Sequence, residues 1–261
     1  MLSKERKMNE SYILSLLEKG KRIDGRSLSQ YRKPISIEYN ISKNAEGSAR
    51  VTIGETEVIV GVKLDIGEPY PDSPDEGTII VTAELLPLSS PDFESGPPGR
   101  NATELARIVD RGIRESKAID LKKLCITPGE KIWMVFIDIY TMNDAGNLID
   151  ASALAAIAAL SQVKLPKVED DKIVYGELTA KKLPLVKMPI TCTMGKIAGN
   201  IVADLSTKEE KTMSARLSIA FDGDTIHALQ KGGSSGLTVD DIEKMIDMAA
   251  KNSKELRKTL K

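Results

Sequence analysis

The chain has 261 residues, of which 41% are hydrophobic and 29% charged, enough to bury a sizeable core in one larger domain or two intimate halves. Its 37 basic and 38 acidic residues leave a formal charge of −1, which excludes a globally basic nucleic-acid binder; any such surface must be a local patch. No apolar run approaches the roughly 18–20 residues that span a bilayer, and the charged start Met1–Lys7 lacks the hydrophobic core of a signal peptide. The expected protein is soluble and cytoplasmic, with no membrane contact, and Cys125 and Cys192, in apolar segments without a C-x-x-C pair, read as buried thiols of a reducing compartment.

The first predicted element is an amphipathic helix from Ser11 to Lys19, with Tyr12, Ile13, Leu16 and Leu17 on one side and Gly20 as its stop. Alternating patterns predict strands at Ile35–Tyr39 and Ala49–Ile53, then, after a turn at Gly54-Glu55-Thr56, at Glu57–Leu64. Another strand is predicted at Thr78–Leu86, followed by a Pro- and Ser-rich loop ending at Gly99, a helix over Ala102–Ala118 and an apolar strand over Lys131–Tyr140. After a turn at Asn143–Asn147, an Ala- and Leu-rich helix is expected over Ile149–Gln162, buried on most sides. The order then recurs, with strands at Val186–Met194, Ile197–Leu205, Leu217–Phe221 and Thr225–Leu229, a flexible Gly232–Gly236 turn, and a terminal helix capped by Thr238. Strands followed by a helix, twice over, indicate an α+β protein of two pseudo-repeated units.

The sequence lacks a phosphate-binding G-x-x-x-x-G-K-[ST], a dinucleotide G-x-G-x-x-G after a strand and a zinc-binding H-E-x-x-H. No metal site is expected, and His227, a lone imidazole in a strand pattern, reads as structural. The arginines of the first long helix are more informative. Arg107, Arg111 and Arg114 are spaced i, i+4, i+7 and fall within an arc of about 60° at 100° per residue. Arg100 extends the line, while Leu105, Ile108, Val109 and Ile113 lie toward the core. Guanidinium groups in a row suit successive phosphates, each offering planar bidentate donors. The competing reading is a solvated face whose arginines pair with Glu104, Asp110 and Glu115.

Several segments, in order from Arg22 to Ala250, together resemble the RNase PH-type phosphorolytic ribonucleases, and within them the non-catalytic RNase PH-like subunits of archaeal exosomes. They are Arg22-Ile23-Asp24-Gly25-Arg26, Ala45–Ala49 with Val51–Thr56, Glu84–Leu88 with Gly96-Pro97-Pro98, and Glu104–Arg111. The resemblance implies an RNase PH-like fold of two related β-sheet-and-helix units in one body. The corresponding division is an N-terminal helix and lead-in over 1–30, a first unit over 31–165, a connector over 166–184 and a second unit with the C-terminal helix over 185–261. It further implies a hexameric ring of three heterodimers, each pairing such a subunit with a catalytic RNase PH-like partner beneath RNA-binding cap subunits. Such a ring degrades single-stranded RNA from the 3′ end, with inorganic phosphate as the partner's co-substrate and no cofactor on this chain.

Two departures from the active pattern carry the expectation that this chain has no catalytic residues. Active relatives place a G-T-R loop before the central helix, where the helix N-terminus and an arginine hold phosphate; here the loop reads Gly146-Asn147-Leu148. Their catalytic aspartate is matched by Arg216, which cannot accept a proton at any working pH. Its own role is open, with a structural one possible at the former site. The resemblance assigns RNA contact to Arg107 and Arg111 first, with Arg114 and Arg100 beside them. Two alternatives stand: an active phosphorolytic exoribonuclease in which Asp204 or Glu210 substitutes, and a homo-oligomeric RNA-binding module outside any degradation machine.

Overall fold

The computed structural model describes residues 11–169 and 172–260, so the charged start Met1–Lys7 and the reading placed on it lie outside the described residues. The first helix, α1 (residues 11–17), buries Ile13 and Leu17 against Ile197, Val202 and Leu205. Tyr12, expected on that apolar side, is 56% exposed: the helix has a narrower buried stripe than its composition suggests. The chain then enters β1 (Ile35–Tyr39), β2 (Gly47–Ile53) and β3 (Thr56–Gly67), an antiparallel meander. It continues through β4 (Thr78–Glu84), α2 (Arg100–Glu115), a short 3-10 turn, β5 (Cys125–Thr127), β6 (Lys131–Asn143) and α3 (Leu148–Leu160).

These strands form one sheet in the order β1-β2-β3-β6-β4, with β5 paired to β6 and β4 running parallel to β6. Alternation sets its faces: in β3, Val58, Val60, Val62 and Leu64 are buried while Ile59 and Lys63 lie on the half-exposed side. The second sheet is ordered β10-β9-β11-β12, from β9 (Ile190–Ile197), β10 (Asn200–Ala203), β11 (Ala215–Asp222) and β12 (Thr225–Gly233). Between β10 and β11 lies the one-turn helix α4 (Thr207–Glu210), and the chain closes with α5 (Val239–Arg257), opened by a Thr238–Asp241 capping box.

Helices α2 and α3 pack against both sheets, and α5 packs against β9, β10 and β11, so β9 is enclosed along most of its length. A single buried cluster runs from Val60 and Ile137 through Ile157 to Met194 and Ile219, which makes the two units one body. Helix α3 is buried from Asp150 to Leu160, because Ala at most positions lets strands approach it from several sides.

The structure departs from expectation in several places. The span 166–184, read as the connector, carries most of two paired strands, β7 (Lys164–Glu169) and β8 (Lys172–Lys182). The strand expected from Val186 begins at Ile190, and the one expected from Ile197 is broken by a positive-φ turn at Ala198-Gly199. Gly232 and Gly233 end β12 and are not part of a flexible turn. Cys192 is fully buried, but Cys125 is only partly covered. His227 sits half-buried at the β11–β12 bulge. No described helix is long and apolar enough to cross a membrane.

Candidate functional site

The site is organised by the loop 144–147 that leads into α3. Gly146 has φ +100° and leaves no room for a Cβ, which would collide with the carbonyl oxygen of Leu205. Asn147 adopts the left-handed conformation as the N-cap of α3, a geometry Asn tolerates better than most residues. Carbonyls of the loop are held from two sides: Arg32 donates to Ala145 and Gly146 (2.5 and 2.8 Å), and the Thr56 hydroxyl donates to Gly146 (2.6 Å). The loop is therefore a fixed element of the core.

Behind it lies a buried charge cluster centred on Asp204. Its carboxylate accepts from Arg32 (2.9 and 2.8 Å), from the Arg32 amide (2.6 Å), from Arg26 (2.8 Å) and from the Asn147 side chain (2.9 Å). Burial alone would raise the Asp204 pKa; the bonds and charge of Arg32 outweigh it and hold the carboxyl below its ordinary value. Arg22 lies beside this cluster, pairing bidentately with the buried Glu209 (2.9 and 2.6 Å) and donating to the carbonyls of Ala203 and Asp204. Both arginines of the Arg22–Arg26 motif thus join the lead-in to the second sheet, with Gly25 at φ +77° making the turn between them. Asp204, weighed as a substitute catalytic group, is committed to structure.

The acidic run after β10 splits its roles by helical geometry. Ser206 and Glu209 form a reciprocal capping box that starts α4, and Thr207 donates its amide to Ala145. This seats α4 on the loop and turns the Glu210 carboxylate inward, where it accepts from the Asn147 amide at 2.8 Å. Much of Glu210 remains exposed, whereas its carboxyl is desolvated; that desolvation, with the nearby Asp144 charge, pushes it up to about 7 against the pull of the Asn147 amide, Arg32 and Arg216. Asp144 is likewise raised by burial.

Arg216 enters from β11, its side chain only 14% exposed, and pairs with Glu104 of α2 at 2.8 Å. Gly232 on the neighbouring strand makes the space: a Cβ there would lie 2.7 Å from the guanidinium carbon. Arg216, Glu104, Glu210, Asp144, Asn147 and Leu148 all line one pocket of about 380 Å³, walled by Leu85, Phe93, Leu105, Ile149 and Met213. The two positions singled out in the sequence, the 146–148 loop and Arg216, thus meet in one place. Arg216 is the one cation among the described lining residues, and it is ion-paired.

The arginine stripe runs away from this pocket. Glu104 stands one turn before Arg107 and two before Arg111, so the exposed face of α2 passes from the pocket rim outward over roughly 10 Å at 1.5 Å per residue. Arg100 and Arg107 are exposed and have no ion-pair partner among the described residues. Arg111 has only a long contact with Glu115 (3.9 Å). Arg114 differs: it is bidentate to Asp110 (3.1 and 2.7 Å) and donates to the Ile79 carbonyl of β4 (2.9 Å), and the Asp110 bond raises its pKa. Arg100 also borders a second, adjoining groove of about 750 Å³ formed by the 83–102 segment, with Leu85, Phe93 and Asn101 common to both.

Sequence reasoning did not find the partners of these residues: Glu104 opposite Arg216, Arg32 behind the loop, or Asp150. Asp150 is fully buried and accepts through one oxygen from Tyr31 (2.5 Å), Asn147 (3.0 Å) and the Thr193 amide (3.0 Å), while its other oxygen has no partner. Desolvation pushes it up to about 6. The described residues contain no cluster of three or more His, Cys, Asp or Glu suited to a metal.

Comparison with known proteins agrees with this architecture. Residues 31–166 match the first domain of the 3′ exoribonuclease family and residues 187–252 its second domain. The exosome complex component Rrp42 of Methanosarcina acetivorans is 47% identical over 251 residues, covering 96% of this chain and 92% of that protein. Among solved structures, a chain of the Archaeoglobus fulgidus exosome with RNA bound to the active site is 45% identical with a TM-score of 0.91, covering 98% of this chain and 99% of that one. A chain of an archaeal exosome core is 42% identical with a TM-score of 0.86, covering 97% and 96%. With both domains matched in order and the identity carried across nearly its whole length, the chain belongs to the RNase PH-type 3′ exoribonuclease family, alongside the archaeal Rrp42 exosome components.

Proposed function

We propose that this chain is a non-catalytic subunit of a cytoplasmic, archaeal-type exosome core, gripping single-stranded RNA beside the active site of a catalytic RNase PH-like partner. In this reading the two chains alternate in a ring of three heterodimers under RNA-binding cap subunits, and inorganic phosphate is the co-substrate of the partner. Phosphorolysis needs a bound phosphate whose oxygen attacks the terminal phosphodiester, breaking the P–O3′ bond while the leaving oxygen takes a proton. The observation that carries the reading is the state of the pocket's charges. Its single described cation is paired with Glu104, and the loop amide of Asn147 is already taken by Glu210. Next to that pocket, whose one described cation is outnumbered by Glu104, Asp144 and Glu210, Arg100, Arg107 and Arg111 stay exposed on α2 with weak counter-ions or none among the described residues, the arrangement expected of sequence-independent phosphate contacts.

One observation favours the alternative of an active enzyme. Glu210 lines the pocket with its carboxyl near 7, in the range suited to general acid–base work. The experiment that separates the two is phosphate-dependent release of nucleoside diphosphates from a 3′-labelled single-stranded RNA. No release by this chain alone, but release from its mixture with the catalytic partner above that of the partner by itself, is the expected result. Robust release by the chain alone overturns the proposal and assigns Glu210 to the chemistry.

A further inference from the structure

The pocket is not an empty active site; its anion-binding groups have occupants. A phosphate held here would draw on two groups: the Asn147 amide, at the left-handed turn where the chain enters α3, and the Arg216 guanidinium. Each already holds a carboxylate of the same chain, Glu210 on the amide at 2.8 Å and Glu104 on the guanidinium at 2.8 Å. Glu210 is also within electrostatic reach of Arg216, so the two glutamates flank one cation. We propose that Glu210 and Glu104 are built-in counter-anions that occupy the seat of an inorganic phosphate and exclude it, and that removing them turns the pocket into a phosphate-binding site.

The surrounding structure is arranged to keep Glu210 in place. Helix α4 is only four residues long, too short to be stable alone. It is fixed at three points: by its own capping box, by the Thr207 amide on the Ala145 carbonyl, and by the Arg22–Glu209 pair. The close packing of Gly146 on Leu205 and Thr207 sets the distance from α4 to the loop. On the other side, Gly232 makes the room in which the Arg216 guanidinium lies toward Glu104. The Arg216 Nε is buried with no hydrogen-bond partner, so Glu104 leaves part of this donor set unused. A second anion entering would face Glu104 and Glu210, with Asp144 of the same lining behind them, and like charges a few ångströms apart in a partly desolvated site repel strongly.

The inference rests on the reading of the pocket as catalytically silent, and its test needs neither RNA nor a partner. Inorganic phosphate is titrated into the full chain by calorimetry at pH 8.5, where the Glu210 carboxyl is ionised, for the parent, Glu104→Gln, Glu210→Ala and the double variant, with circular dichroism as the check on folding. Each carboxylate removed is expected to tighten phosphate binding by roughly tenfold, and adding Arg216→Ala to the double variant is expected to abolish the gain. Parent affinity equal to that of the folded double variant overturns the proposal, as does a folded double variant that binds no phosphate. Should Glu210→Ala unfold the chain, Glu104→Gln decides, because Glu104 is half-exposed and its loss leaves the loop untouched; an unchanged affinity there also overturns it. Failure of this test leaves a lack of phosphorolysis by the parent intact, whereas diphosphate release by the parent alone sinks the functional proposal whatever the phosphate affinity.

Discussion

The sharpest prediction concerns which arginines of α2 touch RNA, because the structure separates residues that the sequence spacing treats alike. Arg107 and Arg111 are exposed, with at most the 3.9 Å contact of Arg111 to Glu115, whereas Arg114 is tied to Asp110 and to the Ile79 carbonyl. A phosphate contact to single-stranded nucleic acid contributes about 0.7 to the slope of log K against log salt. At 0.1 M salt that corresponds to roughly fivefold in affinity for each arginine, and to about twofold at 0.3 M. Arg107→Ala with Arg111→Ala should therefore weaken binding roughly 25-fold at 0.1 M and flatten the slope by about 1.4.

Arg114→Ala should leave the slope unchanged. Its effect belongs on stability, about 0.5–1 kcal/mol from a half-exposed i,i+4 pair and one hydrogen bond to the sheet. The assay is fluorescence anisotropy of a labelled single-stranded RNA against the assembled core, at four or five salt concentrations for each variant. An unchanged slope in the double variant, or an equal loss in Arg114→Ala, would refute the division of the helix face into free and committed cations.

Three further outcomes follow from the buried charges. Arg22→Ala strands Glu209, whose side chain is 1% exposed, and should cost about 3–5 kcal/mol in urea unfolding, far more than an exposed arginine. Asp150 keeps a proton in the folded chain that the unfolded chain releases, because its pKa is raised from 3.8 to about 6; its contribution is full below about pH 4 and is lost as pH rises through 6, about 3 kcal/mol in all. Parent stability measured between pH 4.5 and 7 should fall with that sign, Glu210 adding to it and Asp204 acting only at lower pH, and Asp150→Asn should flatten the curve; a parent curve that rises with pH contradicts the assignment. Gly232→Ala sets a Cβ 2.7 Å from the Arg216 guanidinium and should move that flexible group off Glu104, read as loss of the coupling energy between Arg216 and Glu104 in a double-mutant cycle.

Elements with a strong period were legible in the sequence because one physical rule decided each of them. Alternation located β3, a continuous apolar run located β6, and the arginine and leucine positions of α2 gave its faces. What escaped was set by contacts between distant residues. Helix α4 is too short to announce itself by periodicity and is nucleated by Ser206 and Glu209 together with a loop sixty residues upstream. The β7–β8 pair is mostly polar and exposed, so no apolar alternation marked it. At the site, the 146–148 loop and Arg216 were visible as departures from a pattern, yet Glu104 as the partner of Arg216 was not. Nothing in their separation of 112 positions says that β11 runs beside α2.

The adjacent glutamates of α4 divide their roles between the lead-in and the loop. Glu209 points back to a buried arginine of the lead-in, and Glu210 points forward to the loop amide. A sequence that places two acids side by side thus serves two different faces, because successive residues on a helix are about 100° apart. Internal carboxylates take the Asn147 amide and ion-pair with Arg216, leaving only the Arg216 Nε without a partner, so the loop backbone needs no ligand for the fold to hold. The exposed arginines of α2 are under no such constraint: water already solvates them, and replacing Arg107 with a neutral residue would cost the isolated chain little. Under the proposed function, a row of cations that the fold does not require, starting one turn from the pocket, is accounted for by an anionic polymer passing over it toward a working site on a neighbouring chain.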